Sequence, residues 1–135
     1  MKLDMTTGME AFVNDYIGTA CEDFQQTIRD EGKDIGVFPD ELPEETLDRL
    51  TADAKAFWYR NGAYILARAE NNDRGEWNIA QRAATAFWLN RNGHGSGFWD
   101  YEKLWGPYTD RFTKDSEWFG TCDLYLGDDN KVYAM

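Results

Sequence analysis

Residues 86–100 read AFWLNRNGHGSGFWD, and the rest of the chain is organised around them. The stretch holds the chain's one histidine, His94, within Gly93-His94-Gly95-Ser96-Gly97, and carries an aromatic pair on each side, Phe87-Trp88 and Phe98-Trp99. Large rings seek the core and glycines release the backbone, so this pattern predicts a short loop anchored at both ends. Any site is expected beside that loop.

Upstream of it, Trp77, Ala80, Ala84, Phe87 and Trp88 follow a helical stripe, which predicts a helix from about Arg74 to Asn90. Asp73 and Glu76 have the spacing of a capping box at its start. Further back, Met9, Phe12, Val13, Tyr16, Ile17, Ala20, Cys21, Phe24 and Ile28 alternate steps of three and one and close with a four, so a helix covers about Thr7 to Ile28. Gly18 falls inside it and marks a close packing contact or a bend. Residues 29–42 have no periodicity and read as a loop. Pro43, followed by Glu44 and Glu45, then opens another helix. Leu47, Leu50, Ala54, Phe57, Trp58, Ile65 and Leu66 form its buried face, and Asn61-Gly62 is where it kinks or ends.

Downstream, Asp100 is placed to cap a short turn through Leu104 and Trp105, and Pro107 opens a stretch with Tyr108, Phe112, Asp115 and Phe119 one turn apart. After Gly120 the period changes to two. Cys122, Leu124 and Leu126 alternate with Asp123 and Tyr125, Gly-Asp-Asp-Asn turns, and Val132-Tyr133-Ala134 returns, which predicts a β-hairpin. Such a hairpin needs partners, and Gly97-Phe98-Trp99 is expected to add a third strand. The fold class is α+β: one domain over 1–135, three to four helices and a small antiparallel sheet.

The formal net charge is −11, from 25 acidic and 14 basic residues. Most of it lies in residues 1–60, where 14 acids and 6 bases give −8. That surface repels phosphate backbones, so direct binding to nucleic acid or an anionic membrane is disfavoured and a basic partner is favoured. Asp40, Glu41, Glu44, Glu45 and Asp48 are the densest run and the candidate protein-interaction residues. The competing view is that they are a solvated helix start. Cys21 and Cys122 lack any metal or redox spacing and read as buried free thiols. The N-terminus lacks the apolar run of a signal peptide, and no stretch is apolar enough for a membrane span.

For chemistry, His94 is the candidate general base, with Asp100 or Asp123 as the carboxylate that would orient it. No convincing nucleophile accompanies it, so the protein leans away from an enzyme. Arg91, Asn92, His94 and Ser96 are the candidate ligand-binding groups of the loop, although GHGSG has the spacing of neither nucleotide fingerprint. One histidine and two dispersed cysteines give no zinc spacing, and no cofactor or metal is expected. Trp58, Tyr59, Trp77, Trp88, Trp99, Trp105, Tyr108 and Trp118 are many large rings for a domain of this size, so some are expected to line a patch or groove.

The segment FWLNRNGHGSGFWD, followed later by DLYLGDDNKVY, resembles a family of small tailed-bacteriophage proteins with a core close to FWLTRNGHGAGFWD and a C-terminal LYVGDDGKVY. The likeness covers residues 86–135, and the preceding helix loosely. Asn90, Ser96 and Asn130 stand where the family more often has Thr, Ala and Gly. No activity is assigned to the family, so the resemblance carries over no catalytic role. It implies a phage origin, an accessory gene product and action in the cytoplasm of an infected bacterium. The function expected on this basis is a non-enzymatic accessory protein that binds and inhibits a host protein of nucleic-acid handling or anti-phage defence, by acidic nucleic-acid mimicry. The alternatives are a nucleotide-binding, small-ligand or hydrolytic protein working at the loop around His94, and a structural or regulatory protein that binds another phage product.

Overall fold

The computed structural model describes residues 3–135. Helix α1 (Met5–Asp30) starts where the Asp4 carboxylate accepts a hydrogen bond from Thr7 N at 2.7 Å, satisfying an amide that has no partner within the helix. Its stripe from Phe12 to Ile28 is buried. The helix runs unbroken through Gly18, which makes no close contact, since a Cβ there would stand in open space.

Helix α2 (Glu44–Ala67) runs unbroken through Asn61-Gly62, where a kink or end was expected. Gly62 answers a need for room. The Trp58 indole is clamped between Gly8 of α1 and Gly62, where added Cβ atoms would lie 2.6 and 2.5 Å from its ring carbons. The same indole donates to Met5 O at 2.8 Å. Asn61 is fully buried and gives its amide to Phe57 O and to Asp115.

Helix α3 (Gly75–Asn92) is not capped by Asp73. Asn72 organises the turn instead, donating from Nδ2 to Gly75 O at 2.8 Å, while Glu76 accepts from the backbone N of Leu3. Trp77 is turned outward and does not join the buried stripe. The helix stops at Gly93, whose φ of 65° is the left-handed cap that favours glycine, with His94 N bonded back to Leu89 O.

The segment 97–99 is not a strand. Asp100 accepts from Gly97 N at 3.1 Å, and Asn90 Oδ1 accepts from Phe98 N at 3.2 Å, which winds Phe98–Tyr101 into a tight helical turn. Those amides are therefore not offered to a sheet. A one-turn helix α4 (Glu102–Trp105) and α5 (Thr109–Phe119) follow. Strands β1 (Leu124–Leu126) and β2 (Val132–Ala134) pair antiparallel with Tyr125 opposite Tyr133, and the described residues hold no third strand. The hairpin gains its support from a helix: Thr46 of α2 donates to Val132 O at 2.7 Å, and Val132 is buried. The fold is thus α+β, mostly helical, with a two-stranded sheet at the C-terminus.

The core is a chain of rings. Phe87 stacks on Phe57 with centroids 4.1 Å apart, and Tyr16 and Phe119 each pack against it at 5.1 Å. Phe98 extends the chain from Phe57 to Trp105 and Phe112. Both ends of the glycine-rich loop are anchored here, through Phe87, Trp88 and Phe98, while Trp99 faces solvent. Each buried ring withdraws roughly 150–250 Å² from water, so this network contributes heavily to the buried apolar area. No described helix is long and apolar enough to cross a membrane.

Candidate functional site

The four polar residues singled out at the loop separate into different roles. The Arg91 side chain is 1% exposed. Its Nη1 donates to Asp53 at 2.8 Å and to Tyr16 Oη at 2.9 Å, and Nε donates to Gly120 O at 2.8 Å. Nη2 donates to Phe119 O at 3.2 Å, and the guanidinium lies over the rings of Phe87 and Phe119. It joins α1, α2, α3 and the end of α5, and has no face left for a ligand. Asn92 is also committed, donating to Trp88 O and accepting from Cys122 N at 2.8 Å. Both belong to the scaffold.

His94 is exposed, and its Nδ1 lies 2.6 Å from Asp23 of α1. The orienting carboxylate is therefore neither Asp100, which holds Gly97 N, nor Asp123. The same Asp23 oxygen accepts from Trp88 Nε1 at 2.9 Å, so the carboxylate fastens the loop to two helices. A recess of about 130 Å³ beside these groups is also lined by Cys122, whose buried thiol is pushed up in pKa by desolvation and is the weaker nucleophile for it. The recess is well below the roughly 300 Å³ at which small-molecule pockets begin.

Ser96 points to a different place. It lines, with Gly97, a cleft of about 400 Å³ between α1, α3 and the segment leading to α4. Asn78, Gln81, Arg82 and Thr85 of α3 follow one another at helical spacing along one side of this cleft. They are half-buried, as a groove wall is, and a polar stripe at i, i+3, i+4 and i+7 was the signal in the sequence that could have found them. Asp15 faces them from α1, accepting from Thr85 Oγ1 at 2.9 Å and from Thr19 Oγ1 at 3.4 Å. Burial, with no described cation bonded to it, raises the Asp15 carboxyl pKa above its ordinary value despite those two hydroxyls. Arg82 lies over the Tyr101 ring at 5.1 Å and pairs with no described carboxylate. Trp105 is 1% exposed, lines the same cleft, and its indole N–H has no acceptor in the structure.

The acidic run occupies other elements. Asp40 and Glu41 lie in a helical turn over Pro39–Glu41, and Glu44, Glu45 and Asp48 open α2. All five are exposed, and none pairs with a described cation. Phe38, 52% exposed, adjoins one end, and at the other Glu45 shares a depression of about 320 Å³ with Tyr125 and Tyr133 of the hairpin.

No protein-family model matches the chain, no curated protein matches its sequence, and no solved structure matches its fold.

Proposed function

We propose that this chain is a non-enzymatic phage accessory protein that binds a host protein through the ridge Asp40, Glu41, Glu44, Glu45 and Asp48. The observation that carries the reading is that five exposed carboxylates stand together with no described cationic partner, bordered by the exposed rings of Phe38 and Tyr125. Helix polarity accounts for Glu44 and Glu45, which sit in the first turn of α2 where acids are favoured. It does not account for Asp48, one turn beyond Glu44, where like charges repel. A basic protein surface relieves that repulsion, and aromatic side chains at its edges are the residue type that anchors interfaces.

On the resemblance to tailed-phage proteins, the partner expected is a protein of the infected bacterial cytoplasm. Proteins whose basic surfaces bind DNA or RNA, in nucleic-acid handling or anti-phage defence, are the class that an acidic mimic would occupy. Tagged protein incubated with host lysate should retain one such protein, and added duplex DNA should displace it. The variant E41K/E44K/E45K/D48K, folded by circular dichroism, should retain none, while His94→Ala should retain as much as the parent. Undiminished capture by the charge-reversed variant would overturn the proposal.

A further inference from the structure

We infer that the cleft bounded by Asp15, Asn78, Gln81, Arg82, Tyr101 and Trp105 is a binding site for a purine nucleoside monophosphate. The inference uses none of the acidic-ridge residues and stands whether or not that ridge binds a protein. Its volume of about 400 Å³ lies within the range of small-molecule pockets and suits a ring-bearing ligand better than a bare ion.

Three unfinished groups define the chemistry. The Trp105 side chain lines the cleft, and its buried indole N–H has no acceptor among the described residues, a state that calls for one. Arg82 is a guanidinium in a strongly acidic protein with no carboxylate bonded to it among the described residues, where its one polar contact is a long one, 3.5 Å, to Asn72 Oδ1. Asp15 is a half-buried carboxylate whose partners among the described residues are hydroxyls. An occupant that completes all three must bring an acceptor to the indole, an anion to Arg82 and an N–H donor to Asp15.

A nucleotide brings all three. Guanidinium groups recognise phosphate oxygens in a forked geometry, and carboxylates accept from the exocyclic amines of bases. The amides of Gln81 and of Asn78, whose oxygen accepts a long bond from Asn72 Nδ2 at 3.3 Å, lie within one turn of α3 and offer a donor and an acceptor along a purine edge. Tyr101 and Trp105 supply aromatic walls, and a bicyclic base fills more of the space than a pyrimidine. Arg82 and Tyr101 also line a second, more open cleft of about 650 Å³ that contains Lys103. Arg82 is therefore at the junction, where a phosphate would lie between the enclosed base and a solvent-facing outlet that Lys103 shares with Asp73, Asp100 and Glu102.

The test is a titration of ¹⁵N-labelled protein with AMP and with GMP at millimolar concentration, following the indole N–H resonance of Trp105, identified by its loss in Trp105→Phe. One of the two should shift that resonance saturably. Arg82→Gln and Asp15→Asn should each weaken the interaction about tenfold or more, with Tm at or above that of the parent for Asp15→Asn. Glu41→Lys should leave it unchanged, which separates this site from the protein-binding ridge. A flat response to both purine nucleotides, the same shift from inorganic phosphate alone, or equal affinity for CMP and UMP would overturn the assignment.

Discussion

Arg91 Nη1 lies 2.8 Å from Asp53 Oδ2, with the guanidinium closed off from water by the rings of Phe87 and Phe119. This pair links the end of α3 to the middle of α2, and Tyr16 and two carbonyls after and at the end of α5 complete the shell. A charge in such a place is held by geometry, because a carboxylate and neutral acceptors replace the water it has lost.

Arg91→Ala is therefore expected to cost about 2–5 kcal/mol, since it leaves an emptied space among the rings and unpairs Tyr16 Oη and the carbonyls of Phe119 and Gly120, while Asp53 keeps Arg49 at 3.2 Å. Arg91→Lys should recover only part of this. An ammonium cannot fork between Asp53, Tyr16 and Gly120 O at once. Urea denaturation of both variants measures the difference, and a loss below about 1 kcal/mol for the alanine variant would show that the pair does not hold the helices together.

Two glycines in long helices should respond to alanine in opposite directions. Gly62→Ala places a Cβ 2.5 Å from the Trp58 indole, which is pinned by its bond to Met5 O, so overpacking of about 1–3 kcal/mol is expected. Gly18→Ala meets nothing within 4 Å and should stabilise by up to about 1 kcal/mol through helix propensity. Thermal melts of the two variants beside the parent decide it.

That contrast bears on what the chain discloses as sequence. Periodicity revealed α1 and α2 because their stripes are long and apolar, and the hairpin because its period changes to two. It could not tell why a glycine is present. Gly18 and Gly62 look alike in one dimension, and only the position of Trp58 separates them. Likewise Gly97-Phe98-Trp99 has strand-like residues, but Asp100 and Asn90 take its amides and coil it. Arg91 resembled a ligand-binding residue beside a flexible loop. Its true surroundings come from Asp53 and Tyr16, 38 and 75 residues away. The polar stripe Asn78, Gln81, Arg82 and Thr85 was legible in principle, yet a solvated helix face has the same pattern, and only half-burial against Asp15 marks it as a groove.

Asp115 should make stability depend on acid. Burial alone raises its pKa, but hydrogen bonds from Arg60 and Asn61, with the charges of Arg60 and Arg111, outweigh this and hold the carboxyl below its ordinary value. The folded state thus prefers the ionised form. The resulting stabilisation is complete above the ordinary carboxylate value of about 3.9 and disappears as pH falls through the lower folded value. Because Arg60 is largely exposed, Asp115→Asn should cost only about 1–2 kcal/mol near neutrality. Denaturation series on parent and variant should give a constant gap from neutral pH to about pH 5 that closes on further acidification. A gap that widens in acid would contradict the assignment.

Asp15 carries the opposite sign. Its carboxyl pKa is raised, chiefly by desolvation, so the folded state prefers the protonated form and the ionised group opposes folding at neutral pH. Stability from this residue is gained as pH falls through the raised folded value and is complete below the ordinary one. Asp15→Asn keeps an oxygen to accept from Thr85 Oγ1 while removing the charge, so its Tm at neutral pH should equal or exceed the parent's, with the advantage vanishing in acid. A charge held at a cost to stability, in a cleft with a guanidinium unpaired among the described residues and an unsatisfied indole, is what the proposed binding site predicts. Were the asparagine variant less stable at neutral pH and no different in acid, Asp15 would be a scaffold residue like Arg91, and the cleft would lose one of the three groups that define it.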